Sequence, residues 1–324
     1  MPGRFATLSL LLLAAVPAAA QSALPLDRGS QLVTEHRYAE ARQLLEPIAR
    51  AEPNSAPVAY WLGRVRAGVD DIKGGQEMME RAVALAPGNA EYHLFLGRIY
   101  GFQAQRASIF SRLGLARKCK AEFERAATLD PDSYVAQAAL VDYLLAAPGF
   151  AGGSKDDALA RAQALARRNP YQGALLLARV KRATKRDDEA IAGLRAAAAS
   201  YPDSAAPVSL LASLYGASHR YEPAFAAVDA FLKRRPRDPV GLYALGRLAA
   251  VSRQRLDDGE KALRQLLATG ADPGGVSVAS IHWRLGMILE ARGRREDARR
   301  EYEAAVRMEP QNPEMQKALA AVKA

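Results

Sequence analysis

Arginine and aromatic side chains recur in a common setting along this chain, and together they could bind carboxylates. Three of the arginines, Arg64, Arg98 and Arg247, each follow a Leu-Gly dipeptide. A guanidinium can pair with a carboxylate through two parallel hydrogen bonds, and a neighbouring aromatic ring can bury an apolar side chain of the same ligand. The candidate binding residues are Arg64, Arg98, Arg179, Arg182, Arg247, Arg284, Tyr60, Phe95, Tyr243 and Trp283. They favour an extended acidic peptide or a carboxylate terminus as ligand. The alternative is a solvated basic face whose arginine stems cover apolar surface.

Catalytic, metal and cofactor motifs are missing from the sequence. There is no HExxH and no G-x-S-x-G, and the segment GFAGGSK at 149–155 carries Ser154 where a phosphate-binding loop needs glycine. The histidines are scattered over different parts of the chain, as His36, His93, His219 and His282. We therefore predict a non-enzymatic protein with no catalytic residues, no cofactor and no metal site.

Several residues that could react are explained more simply by structure. His93 and His282 are expected to pack between helices with one ring nitrogen hydrogen-bonded. Cys119 is the only cysteine, so it forms no intrachain disulfide, and we expect a small buried apolar residue. A redox or intermolecular role for Cys119 is the alternative. Paired acids are expected at helix N-termini, where they complement the helix dipole: Asp156-Asp157, Asp187-Asp188 and Asp257-Asp258.

The elements that must position these residues follow from a repeated template. Seven segments contain a small residue, an apolar residue four positions later, another three positions after that, and a proline five positions further on. This spacing predicts a helix with one apolar face that stops before the proline. The small residues and their prolines are Ala41 and Pro53, Gly75 and Pro87, Cys119 and Pro131, Ala158 and Pro170, Ala190 and Pro202, Ala224 and Pro236, and Ala298 and Pro310. A weaker match ends at Pro273.

A second pattern lies upstream of these helices. Leu-Gly occurs at 62–63, 96–97, 245–246 and 285–286, and Leu-Ala occurs at 177–178 and 211–212. A tiny residue at this position lets two antiparallel helices approach closely. The two patterns together resemble the tetratricopeptide repeat (TPR), a 34-residue helix-turn-helix unit with the signature W-x2-L-G-x2-Y, A-x3-F and a closing proline. His93 and His282 occupy the position where that signature has tryptophan.

The resemblance implies an all-α fold, a right-handed α-solenoid of about eight helix-turn-helix units with a C-terminal capping helix. The approximate units are 22–55, 56–89, 90–133, 134–170, 171–204, 205–238, 239–278 and 279–312, followed by the cap at 313–324, and they form one solenoid over 21–324. First helices of this family line a concave groove. The arginines that follow Leu-Gly are therefore expected to be exposed along that groove at a common register.

Two units carry insertions. In 90–133 the second helix is expected to start about ten residues late, after the segment GFQAQRASIFSRLGLARK. In 134–170 the extra residues AAPGFAGGSKDD predict a loop. A basic stretch from Tyr92 to Ala121 contains no acid and coincides with the first insertion, so an anionic contact there is a secondary expectation.

The N-terminus predicts export. Residues 1–20 combine Arg4, an apolar run that Pro17 ends, and the small residues Ala18 and Ala20, as in a cleavable signal peptide. We therefore expect a TPR protein of the bacterial exported type, periplasmic or secreted.

The net charge of +10 then favours acidic proteins or anionic envelope components as partners rather than nucleic acid. The predicted function is a non-catalytic, monomeric protein–protein interaction scaffold of the cell envelope that binds a partner segment in a basic concave groove. Peripheral contact with anionic envelope components is an additional expectation. The alternative is a periplasmic carrier of an anionic small molecule, lipid or polysaccharide, which would need a closed, dry pocket.

Overall fold

A computed structural model describes residues 18–323 of the chain. Within that range the elements are seventeen α-helices and one short 3₁₀ helix, without a strand, which confirms the all-α helical-repeat prediction. Residues 1–17, and with them most of the predicted signal segment, lie outside the described part. Among the described helices, none is both long enough and apolar enough to cross a lipid bilayer.

The chain divides into two compact units, and the division falls after Ser154. The first unit contains seven α-helices and the 3₁₀ helix Gly149–Ala151. Its helices are α1 (Ala18–Thr34), α2 (Tyr38–Ala51), α3 (Ala56–Gly68), α4 (Ile72–Leu85), α5 (Ala90–Arg106), α6 (Ile109–Leu129) and α7 (Tyr134–Ala146). Each even-numbered helix up to α6 packs on the helix before it.

The second unit begins at Lys155 and contains ten helices. They are α8 (Lys155–Arg168), α9 (Pro170–Ala183), α10 (Asp187–Ser200), α11 (Ala205–Ala217), α12 (Tyr221–Arg234), α13 (Pro239–Ser252), α14 (Leu256–Thr269), α15 (Val278–Ala291), α16 (Arg295–Met308) and α17 (Pro313–Lys323). The pairs α9/α10, α11/α12, α13/α14 and α15/α16 pack as helix hairpins, and α17 packs on α16 as the predicted cap.

The template prolines end the second helix of each pair as expected. Every one of the seven helices concerned stops two residues before its proline, at Ala51, Leu85, Leu129, Arg168, Ser200, Arg234 and Met308. The residue in between leaves the helical region; Ala86, before Pro87, has φ −139° and ψ 71°. The proline ring disfavours the helical conformation of the residue before it. The sequence therefore sets these boundaries locally.

The apolar positions of the template form the core. The seven small residues and the seven residues four positions later are all buried. The third position is buried in six segments, and Ile48 is the half-buried exception. One face of each second helix is thus covered, as the spacing predicted.

The glycines of the Leu-Gly dipeptides lie where side chains of the second helices pack against the first helices. A Cβ built on Gly97 would lie 2.6 Å from the ring of Phe123, and one on Gly286 would lie 2.5 Å from the ring of Tyr302. Phe123 and Tyr302 both occupy the second position of the template. Glycine is therefore needed on the first helix because an aromatic ring of the second helix occupies the space of a side chain.

The insertion in 90–133 corrects one prediction. The second helix does not start near Cys119: α6 begins at Ile109, ten residues before Cys119, whereas the other six template helices begin three residues before their small residue. Helix α5 also ends nine residues after Gly97, where the other first helices end five or six residues after their Gly or Ala. Most of the inserted residues are good helix formers, so they lengthen both helices of the hairpin instead of forming a loop. The second insertion is a loop, as predicted, with the 3₁₀ helix inside it.

Candidate functional site

The candidate binding residues all lie on first helices of the helix pairs. Within the first unit α1 contacts α3 and α5 contacts α7, and within the second unit α11 contacts α13 and α13 contacts α15. The structure places the ten candidates in two sets, one in each unit. Tyr60, Arg64, Phe95 and Arg98 belong to α3 and α5, whereas Arg179, Arg182, Tyr243, Arg247, Trp283 and Arg284 belong to α9, α13 and α15.

The four candidates of the first unit line one cleft of about 320 Å³, which we call the Tyr60–Arg98 cleft. Its floor is aromatic, because Tyr60 and Phe95 line it and their rings meet edge-on with centroids 6.0 Å apart. The ring of Tyr92 stacks on Tyr60 with centroids 4.7 Å apart. The Arg64 guanidinium lies over this group, 5.5 Å from the centroid of the Phe95 ring. The cleft can therefore hold an apolar side chain against the rings while a guanidinium contacts the ligand backbone or a carboxylate.

Acidic residues make the Tyr60–Arg98 cleft less basic than the sequence suggested. Glu91 and Asp130 line the same cleft, and the Tyr60 hydroxyl donates a 2.5 Å hydrogen bond to Glu91 Oε1. Burial, together with this hydrogen bond, raises the pKa of Tyr60. The sequence interpretation missed Glu91 because its role depends on Tyr60, which belongs to the preceding helix pair.

The expected exposure of the arginines is partly wrong. Arg98, Arg179 and Arg182 are exposed, but Arg64, Arg247 and Arg284 are half-buried. Tyr60 is also buried, with 3% of its surface exposed. For two of the three arginines the reason is stacking: Arg64 lies 4.8 Å from the Trp61 ring centroid and Arg284 lies 4.0 Å from that of Trp283, so the rings cover these guanidinium groups.

Three arginines of the second unit form a group that we call the arginine cluster: Arg182 on α9, Arg247 on α13 and Arg284 on α15. Burial lowers the pKa of Arg247, and although Tyr243 opposes this shift, the positive charges of Arg284 and Arg182 lower the pKa further. Arg247 Nη1 lies 3.4 Å from Ser213 Oγ on α11. None of the three arginines forms an ion pair with any residue between 18 and 323. Their charge is therefore uncompensated by the described chain.

Arg284 also lacks strong hydrogen-bond acceptors. Its Nη1 lies 3.3 Å from the Met287 sulfur, a weak acceptor, and its Nε is buried with no hydrogen-bond partner in the part of the chain that the structure describes. A buried donor without an acceptor costs free energy unless a ligand satisfies it. Trp283, beneath Arg284, packs against Ala279, Ala305 and Met315 and thereby ties this part of α15 to the cap.

The two packing histidines each contact the second helix of their pair, and His93 has one more hydrogen-bond partner than predicted. His93 Nδ1 lies 2.6 Å from Glu122 Oε2, and its Nε2 lies 3.0 Å from the Pro87 carbonyl oxygen, so both nitrogens have partners. His282 Nδ1 lies 2.6 Å from Glu301 Oε2. Both histidines therefore join the two helices of one pair.

The structural interpretations of Cys119 and of the acidic pairs hold. Cys119 is buried, and burial raises the pKa of its thiol to about 12. The acidic pairs lie in the first turns of α8, α10 and α14. Within residues 18–323 there is no group of three or more histidine, cysteine and acidic side chains that could hold a metal ion.

The repeat can be compared with known families and structures. Family models described as tetratricopeptide repeat match residues 32–99, in the first unit, and residues 279–322, in the second. The chain is a tetratricopeptide repeat protein. Members of this family act as scaffolds for protein–protein interaction and are typically non-catalytic, so the chain is a scaffold that binds protein partners.

The chain is similar to solved structures of TPR proteins at low sequence identity. A TPR protein from Parabacteroides merdae is 13% identical, with a TM-score of 0.54 over 93% of this chain and 98% of that one. A thermophilic TPR protein from Thermus thermophilus is 21% identical, with a TM-score of 0.46 over 59% of this chain and 97% of that one. No curated protein matches the sequence. The first of these structures supports the shared helical-repeat fold, and the binding specificity has to be argued from this chain's own residues.

Proposed function

We propose that this TPR protein binds an acidic segment of a partner protein at the arginine cluster, without catalysis, in the cell envelope. The observation that carries the proposal is the uncompensated charge of Arg182, Arg247 and Arg284 on the first helices of the second unit. An acidic ligand would relieve the repulsion between these guanidinium groups and supply acceptors for Arg284. Such hydrogen bonds between charged groups are among the stronger polar contacts in proteins.

The Tyr60–Arg98 cleft supports the same function with a different preference. Its mixture of aromatic rings, Arg64, Arg98 and Glu91 suits an apolar side chain flanked by polar groups. We propose that it binds another part of a partner segment, for which the aromatic floor supplies affinity and the charged rim supplies orientation.

The experiment for the arginine cluster measures binding of a fluorescein-labelled, glutamate-rich ten-residue peptide by fluorescence anisotropy. We expect the double variant Arg247→Gln/Arg284→Gln to lower the affinity at least tenfold, since each lost charged hydrogen bond contributes about 1.5–3 kcal/mol. The wild-type affinity should also fall as salt is raised.

The matched control is Arg195→Gln/Arg307→Gln. It removes the same charge from two exposed second-helix arginines that form no ion pair with a described residue. We expect this control to retain near-wild-type affinity. Equal losses in both double variants would mean that net charge alone attracts the peptide and would refute a specific site. Saturable binding of a small anion, with no binding of the peptide, would favour the carrier function instead.

The envelope location rests on residues 1–20 and has its own test. In a bacterial host we expect the purified protein to begin at Gln21, as determined by mass spectrometry of the intact chain and its N-terminal peptide. The variant Ala20→Arg should retain residues 1–20, because the charged side chain does not fit the peptidase pocket. An uncleaved wild-type chain would contradict the proposed export.

A further inference from the structure

The lengthened α5–α6 hairpin ends in a tip whose surface is both apolar and basic. Helix α6 starts seven residues earlier, relative to its template position, than the other second helices do. At 1.5 Å per residue, this adds about 10 Å of helix. The tip comprises residues 106–112, where α5 ends, the chain turns at 107–108 and α6 begins.

Two adjacent apolar side chains of the tip have no cover from the described chain. Phe110 is 94% exposed, more than any other large hydrophobic residue in the part that the structure describes, and Ile109 is 76% exposed. Single exposed apolar residues are common on proteins, but an almost fully exposed phenylalanine beside an isoleucine at the end of a projecting hairpin favours transfer into an apolar medium.

Positive charge surrounds these two residues. Arg106 and Arg112 belong to the tip, and Arg117 and Lys118 lie one to two turns further along α6. All four residues are exposed on the surface of the hairpin. The chain has no acid between Tyr92 and Ala121. The acid facing the tip from a neighbouring element is Asp70, 3.9 Å from Arg106 Nη1, and that pair is exposed. The tip is therefore strongly basic.

We propose that this tip inserts Ile109 and Phe110 into the surface of a bilayer that contains anionic phospholipid. A convex tip with apolar residues at its end and basic residues behind them has the arrangement of interfacial membrane anchors, in which apolar side chains enter the headgroup region and basic ones contact anionic lipids. A protein partner would instead need a groove to receive the tip. Membrane contact here does not require the arginine cluster, whose residues belong to the second unit.

The experiment is co-sedimentation of the full chain with vesicles of phosphatidylcholine, with and without phosphatidylglycerol. We expect binding to the anionic vesicles only, weakened by added salt. The variant Ile109→Ser/Phe110→Ser should lower the affinity at least tenfold, and Arg106→Gln/Arg112→Gln should lower it about as much, since one basic residue near an anionic surface contributes about fivefold. Every arm uses the chain in the same state at residues 1–20, cleaved or retained, so the differences between variants report on the tip.

Two further measurements test whether the tip itself, and not any exposed phenylalanine, contacts the bilayer. Phe150→Ser removes a 77% exposed phenylalanine from the other insertion of the same unit and should leave binding unchanged. In a Phe110→Trp variant, brominated phospholipid should quench the added indole fluorescence. The proposal would be overturned if the tip variants bound vesicles as well as the wild type, or if the indole in Phe110→Trp were not quenched. It would also be overturned if the wild type bound no vesicles and the tip variants instead lost binding to a protein partner.

Discussion

Replacing Gly173 with alanine is expected to lower the free energy of unfolding by about 3 kcal/mol, the upper part of the usual range for an added core methyl group. Gly173 is buried on α9 and faces α8. A Cβ at this position would lie closer than any real Cβ contact to the Cα and backbone nitrogen of Ala166. Backbone atoms cannot rotate away as a side chain can, so α8 and α9 would have to separate.

Gly193→Ala provides the matched control. Gly193 lies inside α10, and a Cβ built there meets nothing within 4 Å. This substitution should therefore raise stability by about 1 kcal/mol through helix propensity alone. Urea unfolding followed by far-UV circular dichroism measures both variants. If Gly173→Ala were as stabilising as Gly193→Ala, the result would contradict the claim that α8 and α9 pack too closely at Gly173 to admit a side chain.

Glu260→Ala is expected to have the second largest effect, a loss of about 2 kcal/mol. Glu260 is only 8% exposed on α14 and pairs with Arg264 at 2.8 Å, Arg292 at 2.9 Å and Arg294 at 3.1 Å. Breaking a fully buried pair costs about 3–5 kcal/mol. The partners here are 33% to 47% exposed at their side chains, so solvent reduces the loss. The Glu260 carboxylate thus holds the turn between α15 and α16 against α14, and it stabilises the position of α15, the helix that contains Arg284.

The stabilisation from Glu260 depends on pH in a defined direction. Burial by itself raises the pKa of Glu260, but the Arg264 hydrogen bond and the charges of Arg264, Arg294 and Arg292 outweigh it and hold the pKa below its ordinary value. The contribution is therefore complete above the unfolded-state pKa of about 4.3 and is lost as pH falls through the folded-state value. The stability difference between wild type and Glu260→Gln should be constant above about pH 5.5 and shrink below about pH 4.

Asp203→Ala is the control for this pair of measurements. Asp203 and Arg234 lie 3.1 Å apart with side chains 62% and 54% exposed, so their pair should contribute less than about 0.5 kcal/mol. Urea unfolding at several pH values compares the three variants with wild type. A Glu260→Ala loss no larger than that of Asp203→Ala would show that the arginines around Glu260 are solvated independently.

The sequence by itself determined the repeat and its boundaries. Proline stops, the buried template positions and the glycines that receive aromatic rings act over a few residues or within one helix pair, so periodicity is enough to predict them. The same local logic placed the acidic pairs at helix N-termini and Cys119 in the core.

Only the tertiary structure decided the features that depend on other helix pairs or on the register of an insertion. The spacing around Cys119 suggested a late helix, whereas the extra residues lengthened α5 and α6 and placed Phe110 at an exposed tip. The partners of Glu260 are more than 30 residues away in two of three cases. Glu91 likewise reaches Tyr60 on the preceding pair. The charge and burial of a binding surface depend on side chains from successive helix pairs that pack against each other. The number of residues between such side chains follows no period that the sequence reveals.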